Sequence, residues 1–325
     1  MHTIGSFLRG GLVVAACATL LGAAGCQKKG GSPSPGPGGS WLVGENGLMA
    51  NLRTDGTLGS GYDLESDHDL LDIACRGRDT AFVVGEAGTL LSTFDAGASW
   101  EVIDLGTTRT LRSVATWGSD TVFVAGDGIL TVSHDSGATW HDLPADASTS
   151  WLSIGAGHTG TGVVALSQNG TVWRYESDIN HLTEAAALSD ARAVAVSHDG
   201  THAAVVGAGS TVLRSSDSGI TWRRVSLGRD LDLQAAWETD GGALLAVGSR
   251  GTIVRVGADD QITSSTVSDS DLRSIHIDKL GHGLAGGDGG ALLETRDGGQ
   301  TWTKVPVAVS GAIYGLDEID GFGHL

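Results

Sequence analysis

Three arginines, Arg112, Arg192 and Arg273, stand second in similar short apolar segments: Leu111-Arg112-Ser113-Val114, Ala191-Arg192-Ala193-Val194 and Leu272-Arg273-Ser274-Ile275. Gln234 takes the same place in a fourth segment. A guanidinium offers a planar fork of donors suited to a carboxylate or phosphate. Equivalent positions brought together would form a surface that attracts an acidic group of a partner. The same fork can instead brace a carboxylate of a neighbouring segment, such as Glu86, Asp127 or Asp288. Other chemistry finds little support. No Gly-x-Ser-x-Gly elbow offers a serine nucleophile, and no Walker lysine follows the glycines of 286–290. His198 and His202 are close in sequence, within Ser197-His198-Asp199-Gly200-Thr201-His202, but the composition reads as a hairpin tip instead of a metal site. The expectation is no catalytic residue, no metal and no cofactor.

The elements that position these residues come from a repeat. Four segments fit Ser/Thr-x-Asp-x-Gly-x-Ser/Thr-Trp, with Asp95 and Trp100, Asp135 and Trp140, Asp217 and Trp222, and Asp297 and Trp302 at the fixed positions. The aspartates are 40, 82 and 80 residues apart, so one unit spans about 40 residues and two units have lost the motif. Degenerate motifs fall at Tyr175 to Asp178, at Val256 to Asp259 and around Asp55. A second marker, an apolar residue and usually glycine ahead of a Gly-Thr turn, occurs at Val43-Gly44, Val84-Gly85, Ala125-Gly126, Ala165-Leu166, Val206-Gly207, Val247-Gly248 and Ala285-Gly286. Each unit reads as four short strands, as in 111–116, 121–125, 129–133 and 139–143. The prediction is an all-β, seven-bladed β-propeller with four-stranded blades, in which the C-terminal strand at 312–317 completes the first blade.

Residues 1–25 carry Arg9, an apolar run at 10–21 and Gly22-Ala23-Ala24-Gly25 ahead of Cys26. This layout is that of a secretory signal, too short and wrongly flanked for a spanning helix. The small residues before the cysteine resemble the lipobox of bacterial lipoproteins. That resemblance implies acylation of Cys26, and Gln27 after it implies an outer-membrane address in the cell envelope. Residues 26–40, rich in Lys, Gly, Pro and Ser, read as a flexible tether, and 41–325 as the propeller. Cys75 is then the single thiol of the folded part and reads as a packing residue, so neither a disulfide nor a thiolate metal site is expected. With 38 acidic and 20 basic residues the chain carries a net charge of −18. Such a surface repels nucleic acid and anionic lipid, which leaves the lipid anchor as the only expected membrane contact of a monomer.

The eight-residue motif is similar to the Asp-box, or BNR repeat, of sialidases, some glucan hydrolases and sortilin-type receptors. The longer spacing from Val84 to Trp100, echoed at 247–256 and 285–302, most resembles the photosystem II assembly and stability factor family. The resemblance implies a propeller that binds a partner without catalysis, the partner being another protein or an exported ligand at the channel-mouth face, and the family's arginine patch agrees with the aligned arginines. The alternative is a carbohydrate-active protein, lectin-like or a hydrolase. No Arg-x-Pro stands where sialidases have one, and Tyr62, Tyr175 and Tyr314 lack a partner by spacing. Sugar platforms would have to come from Trp41, Trp117, Trp151, Trp173 or Trp237.

Overall fold

The computed structural model describes residues 39–53, 57–59, 67–143, 149–177 and 180–319. The signal segment, Cys26, the tether up to residue 38, Asp55, Tyr62 and Asp178 lie outside the described residues.

Glycine and aspartate turns divide the chain into short antiparallel strands. The first are β1 (Gly39–Gly44) and β2 (Leu48–Arg53). A four-stranded sheet follows, made of β3 (Leu70–Arg76), β4 (Thr80–Gly85), β5 (Leu90–Thr93) and β6 (Glu101–Val102). The next holds β7 (Leu111–Trp117), β8 (Thr121–Gly126), β9 (Ile129–Ser133) and β10 (His141–Asp142). Another holds β11 (Trp151–Ala156), β12 (Val163–Ser167), β13 (Thr171–Glu176) and β14 (His181–Ala187). Then come β15 (Ala191–Val196), β16 (Ala203–Ser215), β17 (Arg223–Glu238), β18 (Leu244–Gly248), β19 (Thr252–Val256) and β20 (Ile262–Thr266), all in one sheet. The last sheet has β21 (Leu272–Ile277), β22 (Gly283–Gly287), β23 (Leu292–Thr295) and β24 (Thr303–Lys304). The chain ends with β25 (Ile313–Ile319), which pairs with β1 in a sheet of order β2-β1-β25.

The fold is an all-β propeller, but the expectation of seven four-stranded blades is corrected. Among the described residues the strands form six sheets, hence six blades, of three, four or six strands. The cause is local. In most units a glycine closes a tight turn between the second and third strands; Gly88, Gly170, Gly251 and Gly290 pass so close to a backbone oxygen that a Cβ would stand 1.9–2.2 Å from it. Ser210 occupies that place in the fifth unit. There the chain stays extended as β16 and pairs with the next unit through Ala208↔Asp232 and Gly209↔Leu231, fusing two repeats into one sheet. A buried ion pair reinforces the fusion: Arg214 donates to Glu238 at 2.5 Å and to the carbonyls of Gly242 and Gly257.

Apolar clusters fill the space between neighbouring sheets. Trp41, Val43 and Met49 of the first sheet meet Leu70, Cys75, Val83 and Leu91 of the second, and Leu42 and Ala50 meet Leu284 and Leu292 of the last. Cys75 is buried among apolar side chains, as its sequence surroundings implied.

The Asp-boxes join sheet to sheet. Asp95 accepts the amide and hydroxyl of Ser99 and the hydroxyl of Thr93, while Thr93 accepts the amide of Gly97. Asp135, Asp217 and Asp297 repeat this arrangement. Hydrogen bonds from Thr139 and Thr301 hold the carboxyls of Asp135 and Asp297 at about 2. The indoles of Trp140, Trp222 and Trp302 donate to the box glycines Gly137, Gly219 and Gly299. Those glycines have positive φ and abut the preceding sheet: Gly97 meets Trp41, Gly137 meets Phe82 and Gly219 meets Val164. With both oxygens engaged inside their own turns, these aspartates are staples of the fold.

Deleting residues 312–325 tests the closure. It removes Ile313 and Leu316, both buried, and bares an edge of β1. Losing two such side chains costs about 3–6 kcal/mol, a large part of the ~5–15 kcal/mol that holds a domain together. The truncated protein is expected to aggregate or to unfold at much lower urea. A monomer with the wild-type midpoint would show that β25 does not close the ring.

Candidate functional site

Around the axis β25 packs on β3, then β7, β11, β15, the second half of β17 and β21 follow, and β21 returns to β25. Each of these inner strands carries a bulge at its second residue. Leu111 pairs with Gly126 and Ser113 with Ala125, leaving Arg112 unopposed. Arg192, Gln234 and Arg273 are skipped in the same way, as are Leu71, Leu152 and Tyr314. A bulge turns its extra side chain out of the ladder. Here all of them turn toward one end of the channel, where they line a cavity of about 420 Å³ with Asp69.

The structure therefore brings together the four polar residues singled out by alignment. It also adds Leu71, Leu152 and Tyr314, which hold the same second position and were legible from that alignment once apolar residues were admitted. The Val/Ala-Gly marker is explained too. In the facing strand Gly44, Gly85, Gly126, Gly207, Gly248 and Gly287 lie where an added Cβ would fall 1.9–2.3 Å from the carbonyl oxygen ahead of the inner strand. The register puts Gly287 and Ser167 at this place, one residue beyond the last residues of the markers Ala285-Gly286 and Ala165-Leu166.

Each arginine is braced by an aspartate. Arg112 grips Asp127 through Nε at 2.8 Å and a terminal nitrogen at 3.1 Å. Arg273 grips Asp288 in the same two-pronged way. Arg192 lies 2.9 Å from Asp232 as an ion pair without the alignment of a hydrogen bond. Asp127 and Asp288 stand in the turns directly after β8 and β22, in the same units as their arginines, so the brace is not a link to a neighbouring blade. The arginine side chains stay 37–40% exposed. A fork uses two of a guanidinium's five donors, which leaves the second terminal nitrogen of Arg112 and Arg273 unspent on the aspartate. The Arg273 guanidinium also sits 5.9 Å from the Tyr314 ring centroid, and burial raises that phenol's pKa.

No tryptophan at the five candidate sugar platforms is exposed: Trp41 and Trp151 are buried, and Trp117, Trp173 and Trp237 pack against the apolar clusters. His198 and His202 flank the β15–β16 hairpin turn, and no group of metal-binding side chains occurs among the described residues.

Residues 59–150 match the family model described as Photosynthesis system II assembly factor YCF48. The chain is a BNR-like propeller similar to that factor. A solved structure of YCF48 bound to D1 peptide superposes with a TM-score of 0.60 at 18% identity, covering 84% of this chain and 87% of that one. YCF48 from Cyanidioschyzon merolae gives 0.58 at 14% identity, over 75% and 88%. A GH74 xyloglucanase from Xanthomonas campestris gives 0.57 at 15%, over 74% of this chain and 45% of that one. These likenesses are of fold. No curated protein matches the chain by sequence.

Below the mouth, side chains serve the backbone donors on the inner strand edges. Asp72 accepts the amide of Val114 and the hydroxyl of Ser113, Ser113 accepts the amide of Ile154, and Ser153 that of Val194. Asp317 accepts the amide of Cys75 and lies 2.9 Å from His276. Burial pushes the Asp72 carboxyl up to about 6, against the pull of its donors and with help from Asp317.

This sets a pH dependence with a definite sign. A carboxyl raised on folding stabilises fully below its unfolded value, near 4, and loses that contribution as pH rises through about 6. The loss amounts to as much as ~3 kcal/mol. Asp72→Asn should gain on wild type in melting temperature between pH 4 and 6, with a constant difference above 6.5. A difference independent of pH from 4 to 7 would show that Asp72 ionises normally.

Proposed function

We propose that this protein is a non-enzymatic docking module that receives a segment of another protein at the channel mouth. The observation that carries the reading is the set of bulges, which spend strand regularity to aim one side chain from every inner strand into one cavity. The cavity offers Arg192, Gln234 and Arg273 on one side and Tyr314 and Leu71 on the other, a pairing of donors and apolar surface suited to a polypeptide end or bend. The YCF48 solved with a D1 peptide supports a peptide as the kind of ligand. Because each arginine is already paired, recognition rests on directed hydrogen bonds more than on long-range attraction. The carbohydrate alternative is disfavoured by the covered tryptophans. It would also need two carboxyls facing across an open groove, whereas Asp72 and Asp317 are engaged in the channel wall.

Arg112, Arg192 and Arg273 changed together to Gln test the site. Each half-exposed pair contributes about 0–1 kcal/mol, so the triple variant is expected to stay folded and to lose its partner in pull-downs from solubilised envelopes. Undiminished capture by a folded triple variant would exclude the mouth as the docking site.

The reading includes the address. Acylated Cys26 would hold the propeller at the outer membrane, with the Lys-, Gly-, Pro- and Ser-rich residues between it and β1 as the tether. Cys26→Ser is expected to move the protein from the membrane to the soluble fraction. An unmodified N-terminal peptide in the wild-type protein, seen by mass spectrometry, would refute the anchor.

A further inference from the structure

The outer edges of the sheets are guarded unequally. β6, β10 and β24 are two residues long, because the Asp-box turn consumes the chain that would extend them. β14 is longer but is kinked by a bulge and carries Glu184. The outward part of β17 starts with Arg223 and Arg224. Short strands, bulges and charges are the usual protections of an edge. β20 has none of them: Ile262-Thr263-Ser264-Ser265-Thr266 is uncharged, free of proline and paired with β19 without a register shift. It lies in the sixth unit, where the Asp-box has degenerated to Val256 to Asp259.

The hydrogen-bond phase shows which groups this edge presents. Gly257 donates to the Gln261 carbonyl, Val267 donates to the Gly251 carbonyl, and the register sets Thr263 opposite Arg255 and Ser265 opposite Ile253. Antiparallel pairs alternate between bonded and non-bonded. Thr263 and Ser265 therefore turn their backbone groups to β19, and Ile262, Ser264 and Thr266 turn theirs outward.

We propose that this edge is a second docking surface, independent of the channel mouth, which pairs with an extended, uncharged segment of another protein bearing Lys or Arg at both ends. The charges select the occupant. Exposed Asp259 and Asp269 bracket the strand symmetrically about Ser264. Two copies of this chain pairing there antiparallel would bring the Asp259 turn of each near the Asp269 end of the other, like charge beside like charge at both ends. A strand with basic ends would turn both contacts into attractions, and the net charge of −18 adds to the preference.

The test uses the full-length protein and the synthetic peptide Lys-Gly-Thr-Val-Thr-Val-Thr-Val-Thr-Gly-Lys, with a counterpart that has Glu at both ends. Residue-resolved hydrogen exchange should show slowing at Ile262, Ser264 and Thr266 with the Lys-ended peptide, and binding about tenfold weaker for the Glu-ended one. Ser264→Pro removes one outward donor at an edge where proline is tolerated, and should abolish the slowing without changing the melting temperature. Should that variant unfold, Asp269→Lys at an exposed site should narrow the difference between the two peptides. Equal affinity for both peptides, or no slowing with either, would overturn the proposal. So would slowing at the same amides without peptide that grows with protein concentration, which would make the occupant a second copy.

Discussion

A close approach of backbone to backbone, repeated around the axis, underlies the architecture of the mouth. The carbonyl oxygen of Thr110 stands 2.2 Å from where a Cβ on Gly126 would be, and the oxygens of Asp69, Asp190, Asp232 and Asp271 stand as close to Gly85, Gly207, Gly248 and Gly287. Gly85, Gly248 and Gly287 have extended backbones that any residue adopts, so space and not conformation is what demands glycine. In most units that space accompanies the bulge with which the inner strand begins, while β11 bulges opposite Ser167. The bulge in turn rotates Arg112, Arg192 and Arg273 out of the ladder and into a common cavity. The lining of the mouth is thus a consequence of how the strands start, and its side chains vary because the bulge aims whatever residue stands there, leucine and tyrosine included.

Propellers must also satisfy the inner strand edges, which converge too steeply to pair with one another. Asp72, Ser113 and Ser153 do this side chain to backbone, each capping an amide of the next strand. Asp72 meets the need at a cost, since its carboxyl is buried and titrates near 6. On the opposite flank Ala193 and Ala235 hold the position of those caps. That is the region where β16 and β17 run on and fuse two units into one sheet, so continuous pairing accompanies the loss of caps.

The parts of this structure legible in sequence are those fixed by side chains at a regular period. The Asp-box residues, the strand-rich units and the equivalence of Arg112, Arg192, Arg273 and Gln234 all follow from counting, and the structure places them accordingly. Counting failed where a single missing glycine changed connectivity. Ser210 in place of a turn glycine fused two units, so repeats outnumber sheets. The fourth strand of that unit is His141–Asp142 and not the longer 139–143 that the pattern predicts, because the box turn holds Thr139 by hydrogen bonds to Asp135. Contacts between distant residues, such as Arg214 with Glu238 or Asp72 with Ser113, have no periodic signature and could not be read in advance.

Bracing by an aspartate and the proposed binding by the same arginine are compatible. A guanidinium held at Nε and one terminal nitrogen by Asp127 or Asp288 cannot swing. Its orientational entropy is already lost before a ligand arrives, which lowers the cost of each new hydrogen bond. The aspartate also removes most of the net charge, so the mouth can collect arginines in a propeller that is acidic overall without mutual repulsion. What remains is a set of fixed donors beside Tyr314, Leu71 and Leu152. Such a surface discriminates by where acceptors lie relative to an apolar group, and a free anion of high charge has no apolar part to place there. Specificity at the proposed docking mouth would therefore rest on the shape and hydrogen-bonding pattern of a chain segment, with charge in a supporting part.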